Sequence, residues 1–129
     1  MDFKRNLDTI SAAEKGFEYT VKTLDDEDSD CKIQVVGVGS RIHKQAQHKI
    51  DVQEENFAKR GKKMDDDQSN DLYIEMLAKC TKGWVNVEED GKQVEFSYDN
   101  AVDMYTKYPA LRNQILAAIH DLRAMLEKN

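Results

Sequence analysis

The sequence predicts a small α+β domain with an N-terminal antiparallel β-hairpin, a second tight β-hairpin and about four helices. Three observations carry that reading. Asp90-Gly91 stands between two alternating runs. Residues 17–24 and 32–38 alternate apolar with polar side chains. From Pro109 to Lys128, Leu111, Ile115, Ala118, Ile119, Leu122 and Leu126 recur at helical spacing.

Residues 1–15 mix charges with Phe3, Leu7 and Ile10, which predicts a partly ordered helical segment ahead of a single domain over residues 16–129. In residues 17–24, Phe17, Tyr19 and Val21 share one face of a strand. The acidic run from Asp25 to Asp30 is a loop, and residues 32–38 return as the second strand, with Ile33 and Val35 inward. Ser40 is a fitting N-cap for a helix from Arg41 to about Lys59. Its apolar stripe is thin, with Ile42, Ala46, Ile50 and Phe57 among many charges, and Gly61 stops it.

Residues 62–68 read as a charged linker. Ser69 or Asn70 then caps a helix whose buried stripe is Leu72, Tyr73, Met76, Leu77 and Cys80, and Gly83 ends it. Trp84 opens the tight hairpin. A type I′ turn needs positive φ at both central residues, which Asp90 and Gly91 tolerate. The resulting register sets Glu89 opposite Lys92, Val87 opposite Val94 and Val85 opposite Phe96, with Trp84 on the other face, packing the hairpin onto the last helix. Ser97 caps a short helix bearing Ala101, Val102 and Tyr105. Pro109 begins the last helix, so the preceding one ends near Lys107 or Tyr108.

Composition narrows the function. The chain has 129 residues, 34% of them charged, and a net charge of −6, which argues against tracking nucleic-acid phosphates. Cys31 and Cys80 lie far apart without C-x-x-C spacing, as expected of incidental thiols in a reduced cytoplasm. No apolar run approaches the roughly 20 residues of a membrane span, and the first residues lack the apolar core of a signal peptide.

No catalytic, cofactor or metal set can be named. Residues 35–41, VVGVGSR, occupy the place of a phosphate loop, but Ile42 stands where the third glycine would be. Asp26, Asp28 and Asp30 open like a calcium loop, yet Cys31 replaces the required glycine. His43, His48 and His120 form no paired ligand set. A non-enzymatic binding protein is the expectation, with Trp84, Asp90, Gly91, Phe96 and Pro109 as structural residues. Tyr105 and Tyr108 straddle a helix end and are candidates for a contact surface.

The order of these elements resembles the tail assembly chaperones of long-tailed bacteriophages and prophages. The resemblance spans about Phe17 to Leu126 and is strongest from Leu77 to Tyr105: Leu77-Ala78, Gly83-Trp84, the Asp90-Gly91 hairpin, Phe96-Ser97, Asn100-Ala101 and Tyr105. Gly39-Ser40-Arg41 is similar to the end of the family's second strand, although an acidic residue often stands where Gly39 is. The resemblance implies a protein of the bacterial host cytoplasm without cofactor. Such a protein binds the tape measure protein and keeps it soluble until the tail tube polymerises. Contact with the tail tube protein and homo-oligomerisation are further expectations; nucleic acid and membrane are not expected partners. In this setting the 41–59 helix, through Ile42, Ile50 and Phe57, is the candidate surface for client or neighbouring subunits. A virion tail component and a small adaptor subunit of a bacterial complex are the alternatives.

Overall fold

A computed structural model describes residues 1–128. Seven helices and two antiparallel sheets form one α+β domain among the described residues. In chain order these are α1 (Phe3–Leu7), α2 (Thr9–Lys15), β1 (Phe17–Lys22), β2 (Asp28–Val35), α3 (Arg41–Lys59), α4 (Asp66–Cys80), β3 (Thr81–Val85), β4 (Glu88–Glu89), β5 (Lys92–Gln93), α5 (Tyr98–Lys107), α6 (Pro109–His120) and α7 (Leu122–Lys128).

The larger sheet has the order β1-β2-β3. β1 and β2 pair through Phe17 with Val35 and Tyr19 with Ile33, so the apolar faces coincide as the alternation requires. Ile33 and Val35 are fully buried, with Leu77, Ile115, Ile119 and Met125 in the same core. α4 packs on β3, and α6 packs on β1 and β2. α3 and α5 lie against α4.

Four segments differ from the sequence expectation. First, the N-terminal residues form two short helices, α1 and α2. α2 packs on α7 and buries Ala12 and Ala13, while Phe3, Leu7 and Ile10 stay exposed. Second, α4 starts ahead of Ser69. Asp65 caps it, its side chain accepting from the Gln68 N–H at 2.8 Å, and the Gln68 side chain accepts from the Asp65 N–H at 3.0 Å.

Third, Thr81–Val85 does not belong to the tight hairpin. It leaves at Asn86, whose φ is 59°, and pairs with β2 instead, so Gly83 is a strand residue. Fourth, the last helix is two. The break falls at Asp121, whose carboxylate caps α7 by accepting from the Ala124 N–H at 3.0 Å. The break also leaves the Ile119 carbonyl to accept from the Val38 N–H at 2.8 Å. These breaks, with the one at Asp8 between α1 and α2, raise the helix number above four.

Candidate functional site

The tight hairpin lies along α5 and is pinned at both ends. Its turn is as expected: Asp90 has φ 53° and Gly91 has φ 76°. Glu88 pairs with Gln93 and Glu89 with Lys92, and the Val94 N–H donates to the Val87 carbonyl at 2.8 Å. Val87 is buried beneath.

Beyond Val87 the expected register ends. The left-handed conformation of Asn86 inserts a bend, and its side-chain amide donates to the Asp30 carbonyl at 3.0 Å. The bend reverses which side chains face the return strand. Trp84, not Val85, meets Phe96, with ring centroids 5.2 Å apart at 84°, edge to face. The Trp84 indole N–H donates to the Val94 carbonyl at 2.8 Å. These contacts tie Trp84 to the return strand, and its ring also packs against the core cluster. Val85 is left exposed.

At the start of α5, Ser97 accepts from the Asn100 N–H at 3.0 Å, and the Asn100 side chain donates to the Glu95 carbonyl at 2.8 Å. At its end, the Tyr108 hydroxyl donates to Glu89, and Lys107 lies 3.6 Å from the same carboxylate. The hydrogen bond to Glu89 holds the Tyr108 hydroxyl above its ordinary pKa. Lys107 is also raised, first by its hydrogen bond to Asp103. Phe96, Tyr98 and the anchoring Tyr108 are exposed. Tyr98 and Tyr108 stand about 15 Å apart along the helix, at 1.5 Å per residue. The surface therefore offers aromatic faces and hydroxyls on a braced scaffold, which suits a partner with apolar side chains.

The other sequence candidates fall elsewhere. Ile50 is 1% exposed and Tyr105 is 0% exposed, so both belong to the core and not to a contact surface. Ile42 is half-buried. Phe57 is half-buried beneath the Arg60 guanidinium, 5.2 Å from its ring centroid. α3 is anchored more firmly than its thin stripe suggested, through Ala46 and Ile50 and through the 3.0 Å ion pair of Lys49 with Glu75 on α4. Pro109 occupies the first position of α6. Of the five surface candidates, Tyr108 alone is exposed and lies on the hairpin–α5 face. Tyr98, an aromatic with a polar handle that the sequence marks as suited to a core or an interface, is exposed, and so is Val85, which the sequence places on the hairpin's apolar face. The Asn at position 86 was the available signal for Val85, since Asn tolerates positive φ.

The glycine-rich segment is a connector whose donors are taken. Val36, Gly37, Val38 and Ser40 donate their N–H groups to the carbonyls of Cys80, Ala13, Ile119 and Gly37. The Glu14 carboxylate accepts from the Arg41 N–H and so occupies the anion position at the start of α3. Asp28 is in β2 and pairs with Lys22 at 3.0 Å. Among the described residues no group of three or more His, Cys, Asp or Glu side chains is placed to hold a metal ion. No described helix is long and apolar enough to cross a membrane.

The sequence model of the YdaY prophage protein family matches residues 38–127. The chain belongs to this family. It is therefore a prophage-associated protein, and the matched stretch includes the whole hairpin–α5 face. β1 and β2 lie ahead of the matched residues. Neither the comparison with curated proteins nor that with solved structures produced a match.

Proposed function

We propose that this YdaY-family protein is a non-enzymatic tail assembly chaperone. It binds the tape measure protein in the host cytoplasm and keeps it soluble until the tail tube polymerises. The observation that carries the reading is the exposed set of Phe96, which follows the hairpin, and Tyr98 and Tyr108, at the two ends of the α5 helix against which the hairpin is braced. This face lies in and beside the stretch where the sequence most resembles tail assembly chaperones, and the prophage family places the chain in phage biology. A long helical client exposes repeated apolar faces before it is packed. Rigid aromatic side chains cover such faces at low entropic cost.

Co-expression with the tape measure protein of the same prophage tests this. The client should move into the soluble fraction and co-purify with the wild-type chain. Tyr98→Ser with Tyr108→Ser should abolish that while the far-UV CD stays native. An insoluble client beside abundant wild-type protein refutes the proposal.

A further inference from the structure

Two features at opposite ends of β1 complement each other, yet one chain cannot bring them together. At one end, the turn between β1 and β2 holds Leu24 at 91% exposure. The turn is closed by hydrogen bonds: the Thr23 N–H donates to the Glu27 carbonyl at 2.8 Å, and the Asp26 N–H donates to the Thr23 carbonyl at 3.0 Å. Asp26 sits at φ 61°. A large apolar side chain is thus presented outward on an ordered turn. Around it Asp25, Asp26 and Glu27 form no salt bridge among the described residues.

At the other end, α1, α2 and α7 enclose a groove of about 670 Å³. Ala12 and Leu126 supply apolar lining, and Lys4, Arg5, Lys15 and Arg123 outnumber the two carboxylates, Asp8 and Glu127, that line it with them. Arg123 is engaged by Glu127 at 3.2 Å. Lys4, Arg5 and Lys15 form no salt bridge among the described residues, although Lys4 stands near enough to Asp8 to help the Ser11 hydrogen bonds hold its carboxyl below the ordinary range. A basic groove on a chain of net charge −6 reverses the local sign.

We propose that the Leu24 turn of one copy docks into the α1–α2–α7 groove of the next. Leu24 meets the apolar lining, and Asp25, Asp26 and Glu27 face Lys4, Arg5 and Lys15. β1 separates the two features by about 20 Å, at about 3.3 Å per residue, so no chain fills its own groove. The two surfaces differ, so the association is head to tail and continues into rings or open strings. The contact is small, which makes it weak and concentration-dependent, and its charge makes it sensitive to salt. The aromatic hairpin–α5 face takes no part, so this inference and the chaperone reading stand or fall separately.

Sedimentation velocity of the full chain tests it. At low ionic strength the wild-type sedimentation coefficient should rise with concentration, and salt should return it to the monomer value. A turn variant, Leu24→Ser with Asp25→Ser, and a groove variant, Lys4→Glu with Lys15→Glu, should each stay monomeric with unchanged far-UV CD. Mixed together, the two should form a dimer and nothing larger, because each retains one intact half of the contact. A wild-type chain that is monomeric at every concentration overturns the proposal. So does association that survives in either variant, or a mixture that stays monomeric.

Discussion

The hydroxyls of Tyr105 and Thr81 lie 2.7 Å apart in the core, and the direction of that hydrogen bond can be assigned. Thr81 donates its only hydroxyl proton to the Leu77 carbonyl at 2.8 Å. Tyr105 is therefore the donor to Thr81. Burial pushes the Tyr105 hydroxyl well above its ordinary pKa, so it keeps its proton. The pair ties α5 to the junction of α4 and β3.

This direction makes the two deletions unequal. Tyr105→Phe removes a donor and leaves Thr81 bonded to Leu77, a loss of about 0.5–1.5 kcal/mol. Thr81→Val strands the buried Tyr105 hydroxyl and should cost about 1–3 kcal/mol. Urea unfolding of both variants and of the double variant checks the order. Equal losses would mean that the hydrogen bond runs the other way.

Two glycines should resist substitution for different reasons. Gly16 ends α2 at φ 72°, and a Cβ there would overlap the Val35 carbonyl, which the sheet holds in place. Gly16→Ala should therefore cost about 3 kcal/mol. At Gly37 the obstacle is the buried Met125 side chain, which has rotamers to yield with, so Gly37→Ala should cost about 1–2 kcal/mol. Thermal unfolding should rank Gly16→Ala below Gly37→Ala.

Acid should weaken the fold through His43. Its ring is buried and stands 6.3 Å, edge to face, from that of His120. Burial, and then the neighbouring His120 charge, lower its pKa from 6.5. Below 6.5 the unfolded chain binds this proton before the folded one does, so stability falls as pH drops from 6.5 to the lowered folded value. Above 6.5 both states are neutral and His43 contributes no slope. Denaturant midpoints measured across this range should show the fall, and His43→Gln should flatten it.

Neither thiol should react readily in the native state. Burial pushes Cys31 and Cys80 up to about 11, which leaves little thiolate near neutral pH. Labelling with a chromogenic disulfide should be slow until denaturant is added and should then reach both cysteines. Rapid native labelling of Cys80 would contradict its place in the core.

Local chemistry made much of this architecture readable in advance. Ser40, Ser97, Pro109 and the Asp90-Gly91 turn each satisfy a backbone requirement within a few residues, and each sits where the sequence implied. The Asp65 and Gln68 capping box was also present, but Ser69 and Asn70 are equally good caps and competed with it. The break at Asp121 left the apolar spacing almost in phase, so periodicity ran straight through it. The partner of Thr81–Val85 was hidden because strand pairing is settled by distant residues, here those of β2. Burial of Ile50 and Tyr105 was illegible for the same reason: a stripe shows which way a side chain points, and the packing of α3 and α5 on α4 decides whether anything covers it.

The central position of β2 governs how this protein can be cut. A fragment limited to residues 38–127 keeps every helix of the family match, yet strips β3 of its only ladder among the described residues and removes α2, which packs on α7. Excising the first two strands therefore opens the interior itself, and a minimal expressible piece has to begin no later than α2.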